Sequence, residues 1–157
     1  MDGWDDAIAE YQALLNALHR TQGFGLMFVE CAPAMAATLS QQISRDCPHR
    51  PVLRVDLPAA VQGEGLTRAI AQVWPGASVG PVILLRGLEA ALADCPYPGA
   101  IPPVLISFNQ RREVLRDRFP GCFVVFGNVP AMDQVMRYAP DFFDWRSGWF
   151  RFSEGEG

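Results

Sequence analysis

The chain has 157 residues, of which 50% are hydrophobic and 19% are charged, a composition typical of one globular domain and unlike that of disordered chains. No apolar run approaches the roughly 18 residues of a membrane span, and the acidic start MDGWDDAIAE differs from a basic secretory signal. We therefore expect a cytoplasmic protein. The net charge of −4 argues separately against a general binder of nucleic acids or anionic membranes.

The first third of the chain predicts a helix, a strand and a second helix. Acidic residues occupy the first turn of the first helix, and its apolar face consists of Trp4, Ile8, Tyr11, Leu15 and Leu18. A hydrophobic strand follows over Phe24–Glu30. The next helix runs from about Pro33, a residue suited to the first helical position, to about Asp46.

The middle of the chain predicts two more strands with a helix between them. PVLRVDLP, at 51–58, predicts a strand closed by prolines, and EGLTRAIAQVW, at 64–74, predicts a helix stopped by Pro75 and Gly76. PVILLRGLE, at 81–89, contains a fully apolar strand of the kind that is buried on both faces of a parallel sheet.

The segment 102–119 is ambiguous, since Val104, Leu105 and Ile106 suit a strand. Its larger apolar residues nevertheless fall at helical spacing and charged residues fill the opposite side, so we predict a helix. GCFVVFGN, at 121–128, then predicts a fourth strand, AMDQVMRYA, at 131–139, a short helix, and SGWFRF, at 147–152, a fifth strand.

Strands that alternate with helices imply a parallel sheet covered on both faces. We therefore predict an α/β fold, a three-layer α/β/α sandwich with a five-stranded parallel sheet, over residues 1–152, with 153–157 as a polar tail or the start of a linker. Ligands bind such sheets at the carboxyl ends of the strands. That edge would bring together Glu30, Cys31, Asp56, Arg86, Glu89, Gly127 and Asn128.

Two stretches of the sequence resemble a known class of proteins. VILLRGLE lies where STAND-class P-loop NTPases, relatives of the AAA+ ATPases, carry the strand whose terminal acid holds magnesium. FNQRRE, FVVFGN and especially APDFFDWRSGWFRF look like the inactive, degenerate STAND domains of bacterial multidomain conflict and signalling proteins. The resemblance implies the strand order 5-1-4-3-2 and a domain that couples effectors or repeat domains to a partner.

The chemistry of an active NTPase is missing from this sequence. The turn ECAPAMAAT, at 30–38, has no glycine, and all 13 basic residues of the chain are arginine, so the lysine of a phosphate loop is absent. Arg86 stands where the resemblance places the magnesium-binding acid, and Glu89 could be a surviving catalytic glutamate. A nucleotide triphosphate would meet Glu30, Asp56 and Glu89 with one arginine to offset them, so we expect no ATP hydrolysis.

Six residues are candidates for an interaction site or pocket: Arg86, Glu89, Asn109, Arg112, Trp145 and Arg146. Arg86 could bind an anion or a partner carboxylate, although we favour its neutralisation by Glu89 or Asp56. The arginines of NQRREVLRDR, at 109–118, could contact phosphate, although a solvated helical face suits the interleaved acids better.

Trp145 and Arg146 have the residue types of interface hot spots. We favour the alternative that Trp145 packs the fifth strand and that Arg146 ties Asp141 or Asp144 to a helix end. With the segment extended, Phe143 and Trp145 would share one side.

The sequence gives little indication that its cysteines and histidines bind a metal or catalyse a reaction. Cys31, Cys47, Cys95 and Cys122 show no C-x-x-C pairing, so neither a zinc site nor a redox dithiol is indicated. Cys31 could be a nucleophile, but both histidines precede strands and so belong to the opposite edge of the sheet, roughly 16 to 20 Å away.

Three functions therefore remain open. The leading hypothesis is a non-catalytic interaction and scaffolding module, with a protein partner or fused domain and with no cofactor, metal, nucleic acid or membrane. The second is a nucleotide or anion sensor that uses Arg86 and the region of Thr38. The third is an unrecognised enzyme around Glu30, Asp56 and Glu89. An interaction module would fill the carboxyl edge with side chains, whereas a sensor or enzyme would leave a cleft there.

Overall fold

The computed structural model of the protein describes residues 2–62, 65–76 and 80–152, with side chains from residue 6 onward except that of residue 62. In chain order the elements are α1 Asp2–Arg20, β1 Gly25–Glu30, α2 Pro33–Asp46, β2 Val52–Asp56, α3 Leu57–Gln62, α4 Leu66–Val73, β3 Val82–Arg86, α5 Leu88–Leu92, α6 Pro103–Arg118, β4 Cys122–Gly127, α7 Val129–Tyr138, α8 Pro140–Asp144 and β5 Gly148–Arg151. The predicted face of α1 includes Trp4, whose side chain lies outside the described residues, as does the tail 153–157. No helix of the described chain is both long and apolar enough to cross a membrane.

The five strands form one parallel sheet in the order β2-β3-β4-β1-β5. This is the predicted order 5-1-4-3-2 read from the opposite end, and β1 and β3 flank the central strand as expected. All six residues of β4 are buried. The apolar residues of the three inner strands therefore need helices on both faces of the sheet, which gives the predicted α/β/α sandwich.

Alternate residues of each strand supply two separate cores. Leu26 and Phe28 of β1 face the core beneath α3 to α8, whereas Met27 and Val29 face the core beneath α1 and α2. Six of the helices thus cover one face and only two cover the other. This unequal covering leaves part of the α1/α2 face open, which matters for the site described below.

The structure confirms the helix predicted over the ambiguous segment 102–119. Four apolar residues of α6 are buried: Val104, Leu105, Phe108 and Leu115. Three short helices were not predicted, namely α3, α5 and α8. Pro58 was interpreted as the end of a strand, but it lies in the first turn of α3, where proline costs no hydrogen bond. Pro140 begins α8 in the same way, so the segment around Phe143 is helical, and the side that Phe143 and Trp145 would share in an extended segment does not form.

One arginine ties three elements together at the amino edge of the sheet. The Arg50 guanidinium donates to the carbonyls of Leu18 at 2.6 Å, Gly80 at 2.9 Å and Pro81 at 3.4 Å. These carbonyls belong to the last turns of α1 and to the residues that lead into β3. Because Arg50 itself leads into β2, its side chain fixes where β2 and β3 begin relative to each other.

Replacement of Arg50 by methionine should therefore lower the free energy of unfolding by about 2 to 3 kcal/mol, since partly buried carbonyls lose a charged donor. Urea denaturation would measure the change. Arg20→Met, at an exposed arginine that ends α1, is the matched control and should change stability by less than about 0.5 kcal/mol. Equal effects of the two substitutions would contradict this role of Arg50.

Candidate functional site

The turn between β1 and α2 is too short to enclose a phosphate. It consists of Cys31 and Ala32, because β1 ends at Glu30 and α2 begins at Pro33. The Cys31 N–H donates to the carbonyl of Gly127 at 2.9 Å, and Pro33 has no N–H. A phosphate loop needs several free amides in a glycine-rich turn, so this turn cannot provide one.

A cleft of about 410 Å³ nevertheless opens beside this turn, between the start of α2 and the carboxyl ends of β2 and β3. It exists because α1 and α2 leave this part of their face of the sheet uncovered. Arg54 and Asp56 are two residues apart on β2 and so share a face, and Arg86 of β3 is the register partner of Asp56. The edge is therefore not filled with side chains, contrary to the expectation for an interaction module.

Arg86 does not have the neutralising partner that the sequence suggested. No hydrogen bond or ion pair joins Arg86 to another residue within the described ranges, so the favoured pairing with Glu89 or Asp56 is wrong. Glu89 instead accepts a hydrogen bond from the backbone N–H of Asn128 at 2.8 Å. Its carboxylate thereby links α5 to the start of α7.

The charge of the cleft also differs from the expected one. Arg54 lines it together with Arg86, whereas Glu30 lines a separate cavity with Arg151 and Phe152. Two arginines therefore face two acids, where the sequence suggested one arginine against three acids. Thr38 is separated as well, because it lines a groove between α1 and α2 and donates to the carbonyl of Ala34 at 3.3 Å.

A left-handed glycine shapes the rim of this cleft. β3 ends at Arg86, and Gly87 follows with φ of 83°, a conformation that L-residues rarely adopt. A Cβ at position 87 would also lie 2.8 Å from Cδ of Pro58. Glycine thus lets the chain turn sharply from β3 into α5 while α3 lies close by.

The other candidate residues lie on the opposite face of the sheet, between α6 and α8. Asn109 has a structural role there, since its Oδ1 accepts the N–H of Phe142 at 3.1 Å. Arg112 donates to the Asn109 carbonyl and lies 4.0 Å from the Asp141 carboxylate. The six predicted residues therefore belong to two groups, with Arg86 and Glu89 in the cleft and the others on this distant surface.

Trp145 packs between α6 and the core, against the same hydrophobic cluster as Trp149 of β5. It is partly buried, and its ring meets that of Phe24 edge-on, with centroids 6.2 Å apart. The guanidinium groups of Arg112 and Arg116 lie 5.6 and 5.1 Å from the centroid of the Trp145 ring. The side chain is thus held between an aromatic core residue and two cations.

Arg146 makes no ion pair with Asp141 or Asp144 in the described chain, so that prediction is wrong. It donates to the Phe143 carbonyl at 3.0 Å and lies over the Phe143 ring at 4.3 Å. Arg151 lies over the ring of Trp149 at 3.9 Å. We call this region the arginine–aromatic surface, formed by Arg112, Arg116, Trp145, Arg146, Trp149 and Arg151.

The arginines of α6 were predicted to lie on a solvated helical face, and the structure gives two of them additional contacts. Arg116 pairs with its neighbour Asp117 at 2.7 Å, and both side chains are exposed. Arg112 and Arg116 additionally contact Trp145, a feature the sequence did not indicate. Arg111 and Arg118 remain exposed on another side of the helix.

Within the described residues none of the four cysteines forms a disulfide, and three of them are buried: Cys31, Cys47 and Cys122. Burial raises the pKa of Cys122 to about 11, so this thiol is protonated near neutral pH and is a poor nucleophile. Nowhere in the described ranges do three or more His, Cys, Asp or Glu side chains form a group that could hold a metal ion.

Comparison with solved structures identifies the fold. The chain is similar to the Aeropyrum pernix ORC2 protein in its ADPNP-ADP complexes, with a TM-score of 0.53 and 12% identity, over 94% of this chain and 47% of that one. The ADP form of the same protein gives a TM-score of 0.48, also at 12% identity, over 96% of this chain and 47% of that one. No protein-family model and no curated protein matches the sequence.

The arrangement of strands and helices is similar to that of this ORC2 protein. At 12% identity the likeness concerns the fold alone. The chain spans about half the length of the solved chains that it matches, 47% in both cases. The predicted fold class, an α/β sandwich with a five-stranded parallel sheet, is confirmed.

The packing around Trp145 predicts different costs for two neighbouring substitutions. Trp145→Ala should lower the free energy of unfolding by about 3 kcal/mol, because a large, partly buried ring is lost from between α6 and Phe24. Arg146→Ala should cost about 1 kcal/mol or less, since this exposed side chain contributes one hydrogen bond and contacts with the rings of Phe143 and Trp149.

Chemical denaturation would measure both changes. Arg137→Ala on α7, which removes the same charge from an exposed pair with Asp133, is the control for Arg146. A loss for Arg146→Ala as large as that for Trp145→Ala would show that the arginine is structural and does not serve a partner.

Proposed function

We propose that this chain is a non-catalytic interaction and scaffolding module that keeps the P-loop NTPase fold without its chemistry. The observation that carries the proposal is the two-residue turn between β1 and α2, in which the Cys31 amide is already bonded and Pro33 has none to offer. Without a glycine-rich turn and a lysine, this position lacks the groups with which a phosphate loop holds the β and γ phosphates.

The arginine–aromatic surface supports a role in binding a protein. Arginine and tryptophan are the residue types most enriched among interface hot spots, and here the rings hold the guanidinium groups in defined places. The neighbouring sheet edge is less suited to strand addition. The Arg151 N–H on β5 already donates to the Glu10 carboxylate of α1 at 2.8 Å.

The proposed setting is a bacterial defence or signalling protein of the cytoplasm, in which the module couples an effector or repeat domain to a partner. The resemblance of APDFFDWRSGWFRF to inactive STAND domains supports this setting. A pull-down with the product of the neighbouring gene would test it. Arg146→Ala should weaken binding by about 2 kcal/mol while the domain stays folded, and Arg137→Ala should not.

Magnesium and ATP or GTP at millimolar concentration should leave the melting temperature unchanged. A nucleotide at 100 times its dissociation constant would add roughly 2.7 kcal/mol of stability, which corresponds to a shift of about 5 to 10 °C for a domain of this size. Differential scanning fluorimetry would detect such a shift. A clear shift that requires magnesium, or measurable phosphate release, would contradict the proposed loss of chemistry.

An anion sensor without hydrolysis is the second candidate, and it is favoured by the open cleft, in which no described residue forms an ion pair or hydrogen bond with Arg86. In that case phosphate or a nucleotide would raise the melting temperature without magnesium, and Arg86→Ala would abolish the shift while Arg20→Ala would keep it. The third hypothesis, an enzyme around three carboxylates, loses support because Glu30 lies outside the cleft that holds Asp56 and Glu89.

A further inference from the structure

A second groove lies between α4 and α6, away from both the cleft and the arginine–aromatic surface. Its volume is about 650 Å³, and its polar lining residues are Thr67, Arg68, Ser107, Arg111 and Arg118. Leu66, Ala71 and Val114 add apolar contact area to the same groove. We call it the α4/α6 groove.

The lining residues of α6 form one straight row along the helix. Ser107, Arg111, Val114 and Arg118 follow each other at intervals of four, three and four residues, which places them on a single face. With a rise of about 1.5 Å per residue, Arg111 and Arg118 lie about 10.5 Å apart along the helix axis. The row therefore presents two arginines whose backbone positions are about 10.5 Å apart along the helix, with an apolar residue between them.

These two arginines differ in their contacts from the others on the same helix. Arg112 and Arg116 contact Asn109, Asp117 and Trp145, whereas no ion pair joins Arg111 or Arg118 to any described residue. Arg118 is placed by the ring of Phe119, 5.6 Å from its guanidinium. Among the residues that the structure describes, no acidic side chain lines the groove. The groove is thus a positive strip on a chain of net charge −4.

We propose that the α4/α6 groove binds an acidic, extended segment of a protein partner with two carboxylates three residues apart. In polyproline II conformation, residues three apart lie on the same side of the chain about 9.3 Å from each other, which is close to the axial spacing of Arg111 and Arg118. Arginine forks bind carboxylates in pairs of hydrogen bonds, and Val114 offers contact to the side chain between them. The inference rests on the proposed function and names the chemistry of the partner.

A peptide segment fits the chain better than a nucleic acid does. A nucleic acid carries a continuous series of charges that would run beyond the groove and meet the acidic remainder of the protein. A peptide with carboxylates only at the two arginine positions avoids that repulsion. The apolar residues of the groove can also contact the uncharged side chains that lie between the two carboxylates of a peptide.

The experiment measures binding of a fluorescein-labelled, repeated Glu-Pro-Pro peptide by fluorescence polarisation. Polyproline II geometry has three residues per turn and about 3.1 Å of rise per residue, so the glutamates lie on one side about 9.3 Å apart. A peptide of the same composition with its glutamates adjacent is the spacing control. Wild-type protein should bind the repeated peptide saturably and the control about tenfold more weakly.

Variants of the protein locate the site. The double variant Arg111→Ala with Arg118→Ala should lose about tenfold in affinity, because two exposed ion pairs are removed. Arg111→Lys with Arg118→Lys, which keeps the charge, should lose less. Arg20→Ala with Arg45→Ala removes two exposed arginines of α1 and α2 on the other face of the sheet, and its affinity should match the wild type.

Three outcomes would overturn the proposal: no saturable peptide binding, equal binding of the two peptides, or equal loss in the two double alanine variants. Tighter binding of single-stranded poly-uridylate than of the peptide would assign the groove to nucleic acid instead. The proposed function would fail differently, through magnesium-dependent nucleotide binding or phosphate release. A natural partner that still binds the Arg111 and Arg118 variant would overturn the groove alone.

Discussion

The rest of the structure depends on the need to bury three inner strands on both faces. Every residue of β4 is buried, and β1 and β3 expose only the side chains at their carboxyl ends. Such strands are stable only between two helical layers, and parallel strands need crossover connections that supply those layers. Because all five strands run the same way, their carboxyl ends meet at one edge of the sheet. A potential binding edge thus follows from burial alone, whatever chemistry the chain has kept there.

At this edge the turn between β1 and α2 consists of Cys31 and Ala32 alone, and Arg86 ends β3. The cleft lies where α1 and α2 leave part of the five-stranded face uncovered. Its presence is therefore a property of the fold and not evidence of catalysis. Its two arginines and two acids balance, which suits neither a triphosphate nor a divalent metal.

The strands and long helices could be predicted from sequence because burial imposes a period of two or of 3.6 residues on their apolar residues. The helices α3, α5 and α8 were missed because five or six residues are too short for a period, and the prolines at the starts of α3 and α8 resemble stops. Arg54 was missed as a site residue, although its two-residue spacing from Asp56 on a predicted strand was a usable signal. The contacts of Trp145 with Arg112 and Arg116 could not be predicted, since they join segments about thirty residues apart through side-chain packing alone.

The use of arginine for all 13 basic residues has a physical consequence that links the surfaces of the molecule. Five arginines lie over aromatic rings, namely Arg112, Arg116, Arg118, Arg146 and Arg151. A planar guanidinium can stack on a ring and still direct its donors outward, whereas an ammonium is a point charge with a strong hydration shell. The rings therefore restrict cations that would otherwise lose side-chain entropy on binding. A surface prepared in this way favours recognition of carboxylates in defined positions, which is a property of a binding module and needs no catalytic group.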